Sequence, residues 1–336
     1  MSDEPMDSVL AGFRVLDFGR YIAGPYCAAL LADLGADVIR IERRGGGEDR
    51  WVAPVGPDGV GAMFLVMNRN KRAMSLDPAC PEGREIVKQL VATADVVVAN
   101  LPPEVLRSLA LDLDSLRAVK PDIILTTVTA FGAGGPWSHK HGFDGIGQVM
   151  SGSAYLTGTP DQPLRAAAPW VDCGTASLAA FGTLAALMSR QKTGRGQKVE
   201  GALLRTAVAF NNPTLVEQQL IEVDRIATVN RGQTSAPSDI FRTKDGWIIA
   251  YAIGNPMFSA GPCCSARTSG SPTRASRTTS RAATMARSSR STSRSGRARA
   301  PRLRRWPPSN RRRSLRGRSI RPARPSRTRI SAPRAS

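Results

Sequence analysis

The chain has 336 residues, 47 of them basic and 27 acidic, for a formal net charge of +20. The charge is not spread evenly: Ser259–Ser336 carries 22 Arg and no Lys, Asp or Glu. Taking those 22 away leaves 25 basic against 27 acidic residues in Met1–Phe258, so the body is near neutral and its function is not set by the overall charge.

Phe13-Arg-Val-Leu-Asp-Phe18 reads as a short strand stopped by Gly19. Tyr26 to Leu34 is helical, with Pro25 suited to its first turn, and Gly35 ends it. Asp37-Val-Ile-Arg-Ile-Glu42 is a second strand. The unit then repeats more loosely: helix over Pro81–Ala94, strand over Asp95–Ala99, helix over Leu113–Val119, strand over Asp122–Thr129. Strands alternating with helices indicate an α/β fold, a Rossmann-like parallel sheet covered on both faces. Glu42 at a strand end suggests a dinucleotide site. The first turn, Gly19-Arg-Tyr-Ile-Ala-Gly24, has no GxGxxG, so NAD is not expected, although a nucleotide-bearing ligand still fits a loop feeding a helix N-terminus.

Further along, Gly142-Phe-Asp-Gly-Ile-Gly-Gln-Val-Met-Ser-Gly152 precedes Pro169-Trp-Val-Asp-Cys-Gly174 and an Ala/Leu-rich helix to Arg190. Asp172 is placed directly before that helix, where it would cap free N–H groups and be favoured as an anion by the helix dipole. Asp144 fits an ordinary Gly-Phe-Asp-Gly turn. Cys173 reads as a small apolar residue, and His139 and His141 as solvent-facing loop residues. The five cysteines show no CxxC or Cys/His spacing, so neither a disulfide framework nor a metal site is indicated. The N-terminus lacks signal-peptide character, and no run approaches the ~20 apolar residues of a membrane span, so a cytoplasmic location without membrane partners is expected.

The block from Gly142 to Gln197 resembles the family III CoA-transferases, the formyl-CoA transferase and carnitine dehydratase/bile-acid-inducible F group. Other stretches agree: Leu16-Asp-Phe with Ala23-Gly-Pro25, Gly35-Ala-Asp-Val-Ile-Arg-Ile-Glu-Arg43, Asn70-Lys-Arg72, Ala94-Asp-Val-Val-Val-Ala-Asn100 and Thr243-Lys-Asp-Gly-Trp247. The similarity runs from Val9 to Phe258. It implies that Asp172 is the nucleophile, forming an aspartyl-CoA thioester, and that Asp144 matches an acidic position beside it. It also implies that coenzyme A enters as a thioester substrate, with no permanently bound cofactor. Tyr21, Ile22, Arg43, Leu76, Asn100 and Leu101 match its nucleotide contacts, Arg43 as a cation beside phosphates. One basic family contact falls on Ser108, with Arg107 next door. A related alternative is an α-methylacyl-CoA racemase, but its histidine position is Phe143 here.

The resemblance implies an acyl-CoA donor, a carboxylic acid acceptor and an interlocked homodimer. Residues 1–200 would form the CoA-binding domain, 201–234 a connecting helix and linker, and 235–258 the start of a truncated, smaller α+β domain. Residues 259–336 would be a disordered basic tail, read as out-of-frame translation of GC-rich DNA rather than as a nucleic-acid-binding arm, so nucleic acid is not an expected partner. The chain as written is expected to have little or no activity.

Overall fold

A computed structural model describes residues 8–257, apart from 57 and 255. The chain divides into two units, Met1–Ser269 and Gly270–Ser336, and the second lies outside the described residues. The expectations for residues 259–336 therefore fall outside them too.

The described strands are β1 (Arg14–Asp17), β2 (Asp37–Glu42), β3 (Lys71–Ser75), β4 (Val96–Ala99), β5 (Ile124–Thr129), β6 (Lys198–Ala202), β7 (Ser238–Arg242) and β8 (Trp247–Tyr251). The helices are α1 (Ala23–Asp33), α2 (Ala62–Met67), α3 (Pro81–Ala92), α4 (Pro103–Ser108) and α5 (Leu113–Val119), followed by α6 (Asp144–Met150), α7 (Ser153–Thr157), α8 (Trp170–Thr193), α9 (Leu203–Phe210) and α10 (Asn212–Ile221). The first six strands pair in parallel in the order β3-β2-β1-β4-β5-β6, and β7 and β8 form a separate antiparallel hairpin. This is the doubly wound Rossmann-like order, which reverses between β1 and β4.

Central strands are apolar because both faces are covered. Val96, Val97, Val98 and Ala99 of β4 are wholly buried. One face packs on α1 and α8 through Val15, Leu31, Val98, Val128, Ala176 and Ala179. The other packs on α3 and α5 through Leu16, Ile41, Val87, Val91, Leu116 and Leu125. The two edge strands, KRAMS and KVEGA, lack such runs, which is why periodicity passes over them.

Two sequence expectations change. The first helix begins at Ala23, three residues before Tyr26, so Pro25 sits in its first turn, where a missing N–H leaves no bond unmade. The 24-residue α8 is long and apolar enough, by length and composition, to cross a bilayer. Here it is a core helix: Val171, Ala176, Ala179, Ala186 and Leu187 are buried in the cluster it shares with α1 and the sheet.

Candidate active site

Beneath the first loop lies a buried ion network. Lys71 Nζ donates to Asp17 at 2.7 Å and to the Pro25 carbonyl at 2.7 Å. Arg40, 1% exposed, donates to Asp49 at 2.8 Å and to the Gly19 carbonyl at 3.3 Å. Glu42 pairs with Arg50 and lies 3.7 Å from Arg40, so it is engaged inside the protein. The loop above is held tightly. Asp49 also accepts the Tyr21 N–H at 3.2 Å, and Tyr21 adopts a left-handed φ of 61°. Asn100 at the end of β4 clamps Arg20 from both sides, accepting its N–H and donating to its carbonyl, each at 2.7 Å. Gly19 is required by closeness: a Cβ there would lie 2.7 Å from both Asp17 Oδ1 and Pro25 Cδ.

A cavity of about 270 Å³ opens above this loop. Its walls are the β1–α1 loop, the β4–α4 loop, the end of β5 and residues 138–143, with Asp172 at one side. Ligands in open parallel sheets bind at the carboxyl ends of strands where the order reverses, and this cavity occupies that position. Of the sequence-predicted residues, it brings together Tyr21, Ile22, Asn100, Leu101 and Asp172. Arg43 and Leu76 follow β2 and β3, on the far side of β1, and do not line it. Arg43 is exposed and pairs with Glu48, and Leu76 packs against the second core cluster while its N–H donates to Glu42.

Asp172 is not an N-cap. Helix α8 starts at Trp170, so Asp172 lies in its first turn, and Pro169 at the cap position offers no side-chain bond. Asp144 does the capping instead: its Oδ1 accepts the N–H of Val171 at 2.8 Å and of Asp172 at 3.2 Å. The helix-end donors assigned by sequence to Asp172 are thus taken by its neighbour. Nor does the helix keep Asp172 acidic. Burial and then the negative charge of Asp144 push its carboxyl up to about 7, against a smaller downward pull from the Asp144 backbone N–H. Asp172 is only 8% exposed. Cys173 gains nothing as a nucleophile, because burial, Asp172 and Asp144 all push its thiol up.

Sequence reasoning missed Arg20, Ser138 and Lys140 as cavity residues, and placed His139 and His141 in solvent. Both histidines are exposed, yet both line the cavity. Phe143 meets the Tyr21 ring edge-on at 5.9 Å, joining the two loops across the mouth. No spacing rule marks the Gly/Pro-rich loop between β5 and α6 as a wall, but its position after β5 at the carboxyl edge is a usable signal. Among the described residues, no group of three or more His, Cys, Asp or Glu is placed to hold a metal.

The CoA-transferase family III model matches residues 10–298, past the Phe258 limit read from sequence, and the chain belongs to that family. Its relatives include the succinyl-CoA–D-citramalate CoA-transferase of Chloroflexus aurantiacus, 37% identical over 76% of this chain and 63% of the relative. The succinyl-CoA:glutarate CoA-transferase of Mus musculus is 34% identical over 74% of this chain and 58% of the relative. The chain therefore spans about three fifths of the length of these curated relatives. A CAIB/BAIF family protein from Brucella suis has a similar structure, with TM-score 0.73 and 31% identity over 84% of this chain and 77% of that one.

Proposed function

We propose that this chain encodes transfer of coenzyme A from an acyl-CoA thioester to a carboxylic acid, with Asp172 as nucleophile. The observation that carries the reading is the placement of Asp172. A buried carboxyl with a raised pKa shares one cavity with the loop residues Tyr21, Ile22, Asn100 and Leu101. The Asp172 carboxylate attacks the thioester carbonyl: a C–O bond forms, the C–S bond breaks, and CoA leaves as thiolate. The thiolate attacks the Asp172 carbonyl of the resulting anhydride, releasing the donor acid and leaving an aspartyl-CoA thioester. The acceptor carboxylate then displaces CoA from Asp172, and the thiolate attacks the acceptor's acyl carbon, restoring the Asp172 carboxylate. A carboxylate is a weak nucleophile, and burial beside Asp144 raises the basicity of this one. Asp144, engaged by the α8 N–H groups, orients the turn that carries Asp172.

The relatives' names pair succinyl-CoA with dicarboxylic acids, which makes a small dicarboxylate the acceptor class we propose here. We also propose that the active form is a homodimer. In support, Phe181 of α8, Leu220 of α10 and Trp247 of β8 are 71%, 74% and 66% exposed, large apolar side chains that a partner would cover. That Arg is the sole charged residue type beyond Phe258 supports a frame change in the encoding DNA, and resequencing across codons 250–270 tests that. A parent in normal frame would carry out full turnover, while the 336-residue chain would show little.

The direct test is the half-reaction. The chain is mixed with succinyl-CoA and its intact mass measured. The expected result is a covalent adduct that Asp172→Asn abolishes and whose formation rate rises with pH to a plateau above about 7. A chain that binds succinyl-CoA and forms the same adduct without Asp172 overturns the assignment.

A further inference from the structure

We propose that Gln148 is a positioning residue for the reaction, locking the Asp144 carboxylate in the orientation that places the first turn of α8. This inference rests on reading Asp172 as the nucleophile. Gln148 is 1% exposed, a polar side chain shut off from bulk solvent. Each end of its amide has a different task. Nε2 donates to Asp144 Oδ2, and Oε1 accepts the Ala166 N–H at 2.7 Å. The amide cannot flip, because its oxygen would then face a carboxylate and its NH₂ group a backbone N–H.

The arrangement follows from short-range geometry. Four residues along α6 place Gln148 one turn above Asp144 on the same face. With Oδ2 held by Gln148, the carboxylate cannot rotate, so Oδ1 stays on the N–H groups of Val171 and Asp172. The third member, Ala166, lies in the segment leading into α8, so one side chain ties α6, that segment and the helix start together. Gly147 allows the close approach: a Cβ there would lie 2.6 Å from Val171 Cγ1. An asparagine is one methylene too short to span the same two partners, and a glutamate would need a proton to donate. Asp144 on α6 and Cys173 on its own helix lie beside Asp172, and Arg20, Tyr21, His139, Lys140 and His141 are the other titratable groups that line its cavity.

The test reads the titration midpoint of Asp172 by carbon NMR of aspartate-labelled full chain, its signal identified by difference against Asp172→Asn. Gln148→Glu keeps the shape and the acceptor but sets a second acid against Asp144. The expected shift is upward from about 7 by roughly one pH unit, with adduct formation from succinyl-CoA slowed about tenfold. Gln148→Met loses both bonds, frees Asp144 to turn away, and is expected to lower the midpoint. A midpoint unchanged in both variants, even with a lower melting temperature, overturns the positioning role; so does loss of the fold in both. A wild-type chain that titrates as expected yet forms no adduct overturns the nucleophile instead, which separates the two failures.

Discussion

Two carboxylate clusters sit a few strands apart in this fold, and they are treated in opposite ways. Under the first loop, Asp17 is completely buried, with Lys71 at 2.7 Å and Arg40 at 4.0 Å. Burial pushes its carboxyl up, but the two cations more than offset this and hold it below the usual carboxylate range. At the start of α8, Asp144 and Asp172 are also buried, and among the described residues neither has a salt-bridge partner. Asp172 rises to about 7 instead. Desolvation is common to both places, so the partner decides the outcome. Paired acids hold a loop in shape. An acid left facing another gains basicity, as Asp172 does, and under our proposal that basicity serves attack on a thioester.

Removing a partner from the first cluster should produce the largest effect. Lys71→Met leaves Asp17 buried without its nearest cation, and breaking a buried pair from one side costs about 3–5 kcal/mol. Urea unfolding should show that loss, and Asp17→Asn combined with Lys71→Met should recover much of it. A single variant as stable as the parent would mean that Arg40 alone satisfies Asp17, and the contrast between the clusters would weaken.

The second cluster predicts a change of opposite sign. Asp172 has a folded value near 7, above its ordinary 3.8, so the folded chain holds this proton more tightly than the unfolded chain. Its contribution to stability is complete below about pH 4 and is lost as pH rises through about 7. Asp172→Asn, which cannot ionise, should therefore stabilise the chain at pH 8, on the order of 2 kcal/mol, and leave it unchanged at pH 4. Thermal unfolding at the two pH values checks this. Equal effects at both would show that the carboxyl is not held against its charge.

Much of this was legible from residues alone, and the gaps have physical causes. The apolar runs Asp37–Glu42 and Asp95–Ala99 announce buried parallel strands because both faces of the sheet are covered. Lys71–Ser75 does not, since an edge strand with exposed alternate residues carries no such run. The setting before a long helix marks Asp172 only as a cap, the family resemblance makes it the nucleophile, and the structure inverts the capping relation. A capping carboxylate 28 residues earlier in the chain leaves no local trace, so the residues alone read Asp144 as a turn residue and only the resemblance sets it beside Asp172. The ion network escaped for the same reason: Asp17, Arg40, Asp49 and Lys71 meet only when three strands are laid side by side.

Arg43 provides the finest test of the comparison, because it is paired but not buried. It is 60% exposed and bonds to Glu48 and to the Gly46 carbonyl, at the carboxyl end of β2 rather than on the cavity wall. Exposed pairs contribute little to folding, so neither Arg43→Ala nor Glu48→Ala should move the melting temperature measurably. Their effect should fall on coenzyme A. If Arg43 is a phosphate contact, it must exchange Glu48 for the ligand, so Glu48→Ala should tighten CoA binding a few-fold by calorimetry. Arg43→Ala should weaken it by about the same factor, more so at low salt, where exposed charges are least screened. Affinities that ignore both changes would place the nucleotide away from β2, toward the cavity's own cations, Arg20 and Lys140.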